Sequence, residues 1–162
     1  MIPRDFFPNM PDEIFYMWLE PIAENLGWPF NSPRDSTEDT AWYYILMKAK
    51  LDYWVKTKWE LSLMDFDAIA FTNLSKFGFN SILQRCEKGR PTIIANLVNC
   101  EERFRACADY IRLHNEIPAP IIVLIRNGIE IIDGSHRIAA LLHVGIPHGY
   151  KIPIWWPTLK NT

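Results

Sequence analysis

The fold of this chain is decided by residues 121–137, which read IIVLIRNGIEIIDGSHR. The mostly β-branched run Ile121–Ile125 predicts a buried strand. Arg126–Gly128 is a hairpin signal, because an Asn-Gly pair tolerates the positive φ angles of a tight turn. A second strand then returns over Ile129–Ile132, and a helix is predicted from about Ser135 to Val144.

Further elements are predicted on either side of this hairpin. A helix is predicted from Asn99, which forms a capping box with Glu102, to His114. Residues 151–156 predict a final strand at the edge of a sheet, because Pro153 cannot donate a ladder hydrogen bond. We therefore expect an α+β fold, with a small mixed sheet and packed helices preceded by a Trp-rich helical region.

Three regions are predicted along the chain. Residues 1–35 are typical of an irregular acidic leader, with one short helix between Pro11 and Pro21. Residues 36–98 predict a helical extension packed on the core, with a stripe of apolar residues at helical spacing. This stripe consists of Trp42, Ile45, Leu46, Ala49 and Tyr53. Residues 99–162 are the predicted core, and we expect the three regions to form one compact unit.

The composition is that of a soluble globular protein, with 49% apolar and 22% charged residues among 162. No apolar run approaches the ~20 residues of a membrane helix, and no basic region precedes an apolar run at the N-terminus. Neither membrane insertion nor secretion is therefore expected. Cys86, Cys100 and Cys107 form no even disulfide set, so we expect a cytoplasmic protein without a structural zinc.

Charge is distributed unevenly around a net value of −2. Residues 1–40 contain 2 basic and 8 acidic side chains, whereas residues 41–162 contain 15 basic and 11 acidic ones. An acidic N-terminal region could shield a basic surface or bind a protein partner, and a solvated acidic helix explains the same composition.

The junction between the second strand and the following helix carries the chemistry. The first amides of a helix have no partners within the helix, so the turn at Gly134 favours an anion such as phosphate. Ser135 adds a hydroxyl, His136 a switchable donor and Arg137 a forked cationic donor. Asp133 could hold a metal ion or orient attacking water. The structural alternative is that Asp133 or Ser135 caps the helix while Arg137 pairs with a surface acid.

The same region carries a family resemblance. Residues 117–124 (IPAPIIVL) and 133–140 (DGSHRIAA) resemble the proline-flanked strand and the phosphate-binding turn of the ParB/sulfiredoxin superfamily. The resemblance extends from about Arg103 to Trp155. Ser135 stands where sulfiredoxins have a cysteine, so repair of sulfinic acids is not expected.

The resemblance implies nucleotide binding. In this superfamily the turn and the helix start hold nucleotide phosphates. The binding residues implied here are Arg103, Gly134, Ser135, His136 and Arg137. The implied cofactors are ATP, or another nucleoside triphosphate, and Mg²⁺.

The predicted function is a nucleotide-binding, ATPase-like phosphohydrolase with Asp133, His136 and Arg137 as its catalytic residues. Asp133 is also the candidate metal ligand. Short plasmid fertility-inhibition proteins of this fold, which the chain resembles, imply a possible nonspecific DNase activity with weak DNA binding. Because Arg137 is expected to be exposed at a helix start, its replacement is expected to affect nucleotide binding more than the fold.

Two alternatives remain open at this point. A small-molecule kinase of the serine type, with the same fold, would need a second pocket for an acceptor hydroxyl. A non-enzymatic docking or inhibitor module would bind a protein through the Trp-rich, acidic N-terminal region instead.

Overall fold

The structure is a computed structural model that describes residues 4–25, 46, 49–66 and 100–159. The described residues belong to two compact units. Those within 1–60 and 157–162 form the first unit, and those within 61–156 form the second. The region boundaries predicted at residues 35 and 98 lie outside the described residues.

A continuous helical segment lies near the start of the first unit. It consists of α1 (Asp12–Ile14), a π-helical turn (Phe15–Leu19) and α2 (Glu20–Asn25). The predicted end of this helix at Pro21 is therefore wrong. In the π turn the Glu20 N–H donates to Phe15 O, five residues earlier, so the regular α-helical hydrogen-bond ladder is already interrupted there. The next residue, Pro21, has no N–H to donate, and the helix continues past it.

The core of the first unit is aromatic. Trp54 lies between Trp18 and Trp59, at centroid distances of 5.2 Å and 5.7 Å and interplanar angles of 26° and 27°. The Trp54 indole N–H donates to Leu46 O over 3.0 Å. The Trp54 side chain is fully buried, so it contributes a large apolar contact area to the core. Its one polar atom is hydrogen-bonded, so its burial leaves no donor unpaired.

The burial predicted for the apolar stripe is confirmed where the structure describes it, but the helix predicted to carry it is wrong for Leu46 and Ala49: Leu46 lies in a turn and Lys50 is extended, so the helix begins only at Leu51. Leu46, Ala49 and Tyr53 are buried, whereas Trp42 and Ile45 lie outside the described residues. The helix of this region, α3, spans Leu51–Lys56.

The second unit is built on a four-stranded mixed sheet. Its strands are β1 (Trp59–Asp65), β2 (Ile121–Ile125), β3 (Ile129–Asp133) and β4 (Lys151–Pro157), in the order β1–β4–β2–β3. The first two residues of β1 and the last residue of β4 belong to the first unit. β2 pairs with β3 in the antiparallel direction and with β4 in the parallel direction. The predicted hairpin and the α+β class are therefore confirmed.

The edge position predicted for β4 from Pro153 is wrong, because β4 lies between β1 and β2. The strand that covers this edge, β1, comes from far upstream and was not predicted. Proline removes one ladder donor but gives no information on a non-local partner, so the local signal at Pro153 could not reveal the interior position.

Two helices complete the second unit, α4 (Cys100–His114) and α5 (Ser135–Val144). The predicted limits of α5 and the predicted end of α4 are confirmed, and Gly145 closes α5 with a φ of 104°. The two helices contribute buried residues to the same apolar core as the sheet. Cys107 packs against this core, as its helical spacing predicted.

Replacing Trp54 with alanine should lower the free energy of unfolding by about 3–5 kcal/mol, because a fully buried ring and its stacking contacts are lost. Met17→Ala is the matched control in the same unit. The Met17 side chain is 59% exposed, so the change should stay within about 0.5 kcal/mol. Urea unfolding followed by circular dichroism measures both, and equal losses would contradict the assignment of Trp54 to the core.

Candidate functional site

The candidate site is the turn between β3 and α5. β3 ends at Asp133, Gly134 follows with φ 114° and ψ 10°, and α5 begins at Ser135. The Ile138 N–H donates to Gly134 O over 3.0 Å. Gly134 is thus the N-cap residue, and it makes no side-chain capping bond. The N-cap position is therefore taken by neither Asp133 nor Ser135, the two residues that the structural alternative assigned to it.

The packing around Gly134 explains why this position is glycine. A Cβ atom built there would clash with Ile121 Cδ1, and it would lie 3.1 Å and 3.3 Å from Arg137 Nη2 and Nε. The positive φ is itself costly for any residue with a side chain. Glycine is thus required by the packing of β2 and Arg137 on the turn, whether or not a phosphate approaches.

Arg137 lies folded against this turn. Its Nη2 donates to Asp133 Oδ2 over 2.9 Å and to the Pro120 carbonyl over 3.1 Å. The side chain is only 15% exposed, and that of Asp133 is 25% exposed. The expectation that Arg137 is exposed is therefore wrong, because the side chain packs against the turn and pairs with a half-buried acid.

The remaining nitrogens of Arg137 differ in their surroundings. Nε is buried and has no hydrogen-bond partner. Nη1 donates to no described residue. Arg137 thus has one terminal nitrogen committed to the fold, and no described residue accepts from the other.

A β-bulge sets the position of Asp133. Ile122 pairs with Asp133 and Val123 pairs with Ile131, so the ladder is irregular between these pairs and Ile132 is the extra residue. Bulges turn a strand and redirect the side chains that follow. Here the bulge lies directly before the acid that binds Arg137.

The thiol of Cys107 on α4 is affected by three charged groups. Burial raises the pKa of Cys107 above its ordinary value of 9.0. The guanidinium groups of Arg137 and Arg103 act in the opposite direction, and the carboxylate of Asp133 raises the pKa further. Arg103, one turn before Cys107 on α4, and the Asp133–Arg137 pair therefore all act on the same thiol.

The other predicted site residues lie at the start of α5. Ser135 and His136 are its first two residues, and both are partly buried. All six residues predicted to bind or react belong to the second unit, and Asp133–Arg137 form one continuous turn.

The described residues contain no group of three or more His, Cys, Asp or Glu side chains that could hold a metal ion. Asp133 is the acid at the turn, and its carboxylate is bonded to Arg137. Mg²⁺ is commonly held by one or two carboxylates together with substrate phosphates. The residues present therefore fit Mg²⁺ only if a substrate supplies further oxygen ligands.

A second concave feature of the same unit was not predicted. It is a cavity of about 580 Å³, lined by Asp65, Phe66 and residues 146–150. The Tyr150 hydroxyl accepts a hydrogen bond from the Ile117 N–H over 2.9 Å, and burial raises the pKa of Tyr150 above 10.0. The carboxylate of Asp65 and the imidazole of His148 are the ionisable groups of the lining other than Tyr150. The cavity joins the end of β1 to the loop before β4, which local sequence patterns could not indicate.

No protein-family model matches the chain, and neither a curated protein nor a solved structure is significantly similar to it. Among the described residues, every helix is too short or too polar to cross a membrane.

Replacing Gly134 with alanine should destabilise the fold by about 1–3 kcal/mol, because the new methyl group clashes with Ile121 and strains the backbone. Gly149→Ala is the matched control: Gly149 also has a positive φ, of 70°, but a Cβ there meets nothing within 4 Å. The control should therefore lose less. Thermal unfolding of both variants measures the difference, and equal losses would show that backbone strain alone acts at Gly134.

The free energy of unfolding should fall as the pH rises above about 9, because Cys107 releases its proton more readily in the unfolded chain. The pKa of this thiol is raised in the folded state, so its contribution is complete below the unfolded pKa and disappears as the pH passes the folded pKa. Urea unfolding at a series of alkaline pH values tests this. Cys107→Ala should reduce the slope of the free energy of unfolding against pH. The remaining slope should include the contribution of Tyr150, whose pKa is also raised by burial. An unchanged slope would contradict burial of the thiol.

Proposed function

We propose that the chain is a nucleotide-binding phosphohydrolase of the ParB/sulfiredoxin type, acting on ATP or another nucleoside triphosphate with Mg²⁺. The observation that supports it is the Asp133–Arg137 ion pair at the start of α5, with Arg103 within electrostatic range of Cys107, a thiol that the pair also affects. A helix start carries positive potential, and guanidinium groups match phosphate oxygens in geometry and charge.

The residues of the site would divide the work of phosphoryl transfer. Arg103 and Nη1 of Arg137 neutralise charge on the phosphates, and the Ser135 hydroxyl donates to a phosphate oxygen. His136 moves a proton at the attacking or leaving oxygen. Mg²⁺, held through Asp133 and the substrate, supplies further charge neutralisation. This reaction depends mainly on positioning and electrostatic stabilisation, for which no covalent intermediate is needed.

DNA is a secondary substrate in this proposal. The chain carries a net charge of −2, so binding to the phosphodiester backbone should be weak, nonspecific and steeply dependent on salt. Cleavage of plasmid DNA would use the same turn, and it should require a divalent ion.

The cavity of about 580 Å³ favours the kinase as the second candidate function. Its volume is sufficient for a small molecule, and Asp65 or His148 could accept a proton from an acceptor hydroxyl. Release of ADP that requires a hydroxylated acceptor such as serine would support the kinase over the hydrolase.

The docking alternative depends on what the N-terminal region exposes. Trp18, Trp54 and Trp59 are buried, so they are core residues of the first unit. A docking surface built from the described residues of this region would instead use Tyr16 and Met17, which are 48% and 59% exposed.

Arg103→Ala should weaken ATP binding about tenfold or more, because a charged contact to phosphate is worth about 1.5–3 kcal/mol. Arg103 has no hydrogen bond or ion pair with the described residues in the structure, so the melting temperature without ligand should change little. Arg105→Ala is the control, since Arg105 lies two positions away on α4 and is exposed. Calorimetric titration with ATP and Mg²⁺ measures affinity. Absence of ATP binding by the unmodified protein would overturn the proposed function.

A further inference from the structure

The charges at the α5 turn are partly neutralised from within. Arg137 supplies a positive charge there, and Asp133 offsets it through its 2.9 Å bond to Nη2 of Arg137. The pair is half-buried, at 15% and 25% side-chain exposure, so solvent screens it less than a surface ion pair. An anion that approaches the turn therefore meets a carboxylate already bound to the arginine it needs.

The position of Arg137 does not depend on this carboxylate alone. Nη2 also donates to the Pro120 carbonyl over 3.1 Å, and the guanidinium packs on the face of Gly134. An asparagine at position 133 has nearly the shape of aspartate, and its amide oxygen can still accept from Nη2. Geometry and charge can thus be separated by experiment at this position.

We propose that Asp133 is an internal competitor of the bound anion, whose negative charge lowers the affinity of the α5 turn for phosphate groups. This inference rests on the proposed function, since it concerns the control of the same anion site. The carboxylate occupies one nitrogen of Arg137 and repels an incoming phosphate. The guanidinium of Arg137 and a helix start would otherwise bind a multiply charged product tightly, so a carboxylate at this position favours its release.

The test uses pyrophosphate as the probe, without a divalent ion, so that any metal-binding role of Asp133 is excluded. Calorimetric titration compares the full-length protein with Asp133→Asn. The variant should bind pyrophosphate about tenfold more tightly or better, because one repulsive charge is removed near the anion. A dinucleoside monophosphate, which carries a single charge, should gain less, since the repulsion scales with the charge of the ligand.

Asp109→Asn is the matched control. It makes the same change of net charge on α4, at an exposed pair with Arg112. It should change the affinity for pyrophosphate by less than about twofold, because an exposed charge is screened by solvent and salt. Asp133→Ser repeats the test with a small polar residue if the asparagine variant does not fold.

The outcomes separate the inference from the proposed function. Tighter binding by Asp133→Asn, with the control unchanged, supports the competitor role. Unchanged or weaker binding by this variant, while the unmodified protein binds, overturns the inference alone and makes Asp133 a positioning residue. If neither the unmodified protein nor the variant binds pyrophosphate or ATP, both the inference and the proposed function are overturned. An equal gain in Asp109→Asn would assign the effect to net charge and also overturn the inference.

Discussion

The second unit depends on the close approach of three segments at Gly134. The side chain of Ile121 from β2 and the guanidinium of Arg137 from α5 both pack where any other residue would place its Cβ atom. This contact fixes the angle at which the chain leaves β3 and enters α5. Because β2 pairs with both β3 and β4, a shift at Gly134 would be transmitted through Ile121 to β2 and from there to its parallel neighbour β4.

Much of this unit is predictable from local sequence. The β2–β3 hairpin and both ends of α5 follow from the β-branched runs, the Asn-Gly turn and Gly145, which are signals confined to a few residues. Three features could not be predicted because they depend on distant residues. These are the interior position of β4, the cavity beside Asp65 and the burial of Arg137 against Pro120. The π turn before Pro21 was missed for another reason, since proline signals an interrupted ladder and not how the helix continues.

The candidate site illustrates the same limit. The sequence placed Asp133, Ser135, His136 and Arg137 in one turn, because they are consecutive or nearly so. It indicated Arg103 only through a family resemblance. In the structure Arg103, Asp133 and Arg137 all affect the pKa of the same thiol, Cys107. The ion pair between Asp133 and Arg137 is compatible with the spacing of the two residues. Its burial depends on the carbonyl of Pro120, which precedes the turn by more than ten residues.

The first unit is discontinuous along the chain, and this affects the order in which the protein can be completed during synthesis. Thr158 N–H donates to Lys58 O over 2.9 Å, and Lys58 N–H donates to Thr158 Oγ1 over 3.1 Å. Residues on either side of the whole second unit thus close the first one. A ribosome delivers the chain from its N-terminus, so the α4-to-β4 segment must be made before these bonds can form. Until Thr158 has been made these two bonds cannot form, whereas the three rings of the aromatic stack, Trp18, Trp54 and Trp59, have already been synthesised.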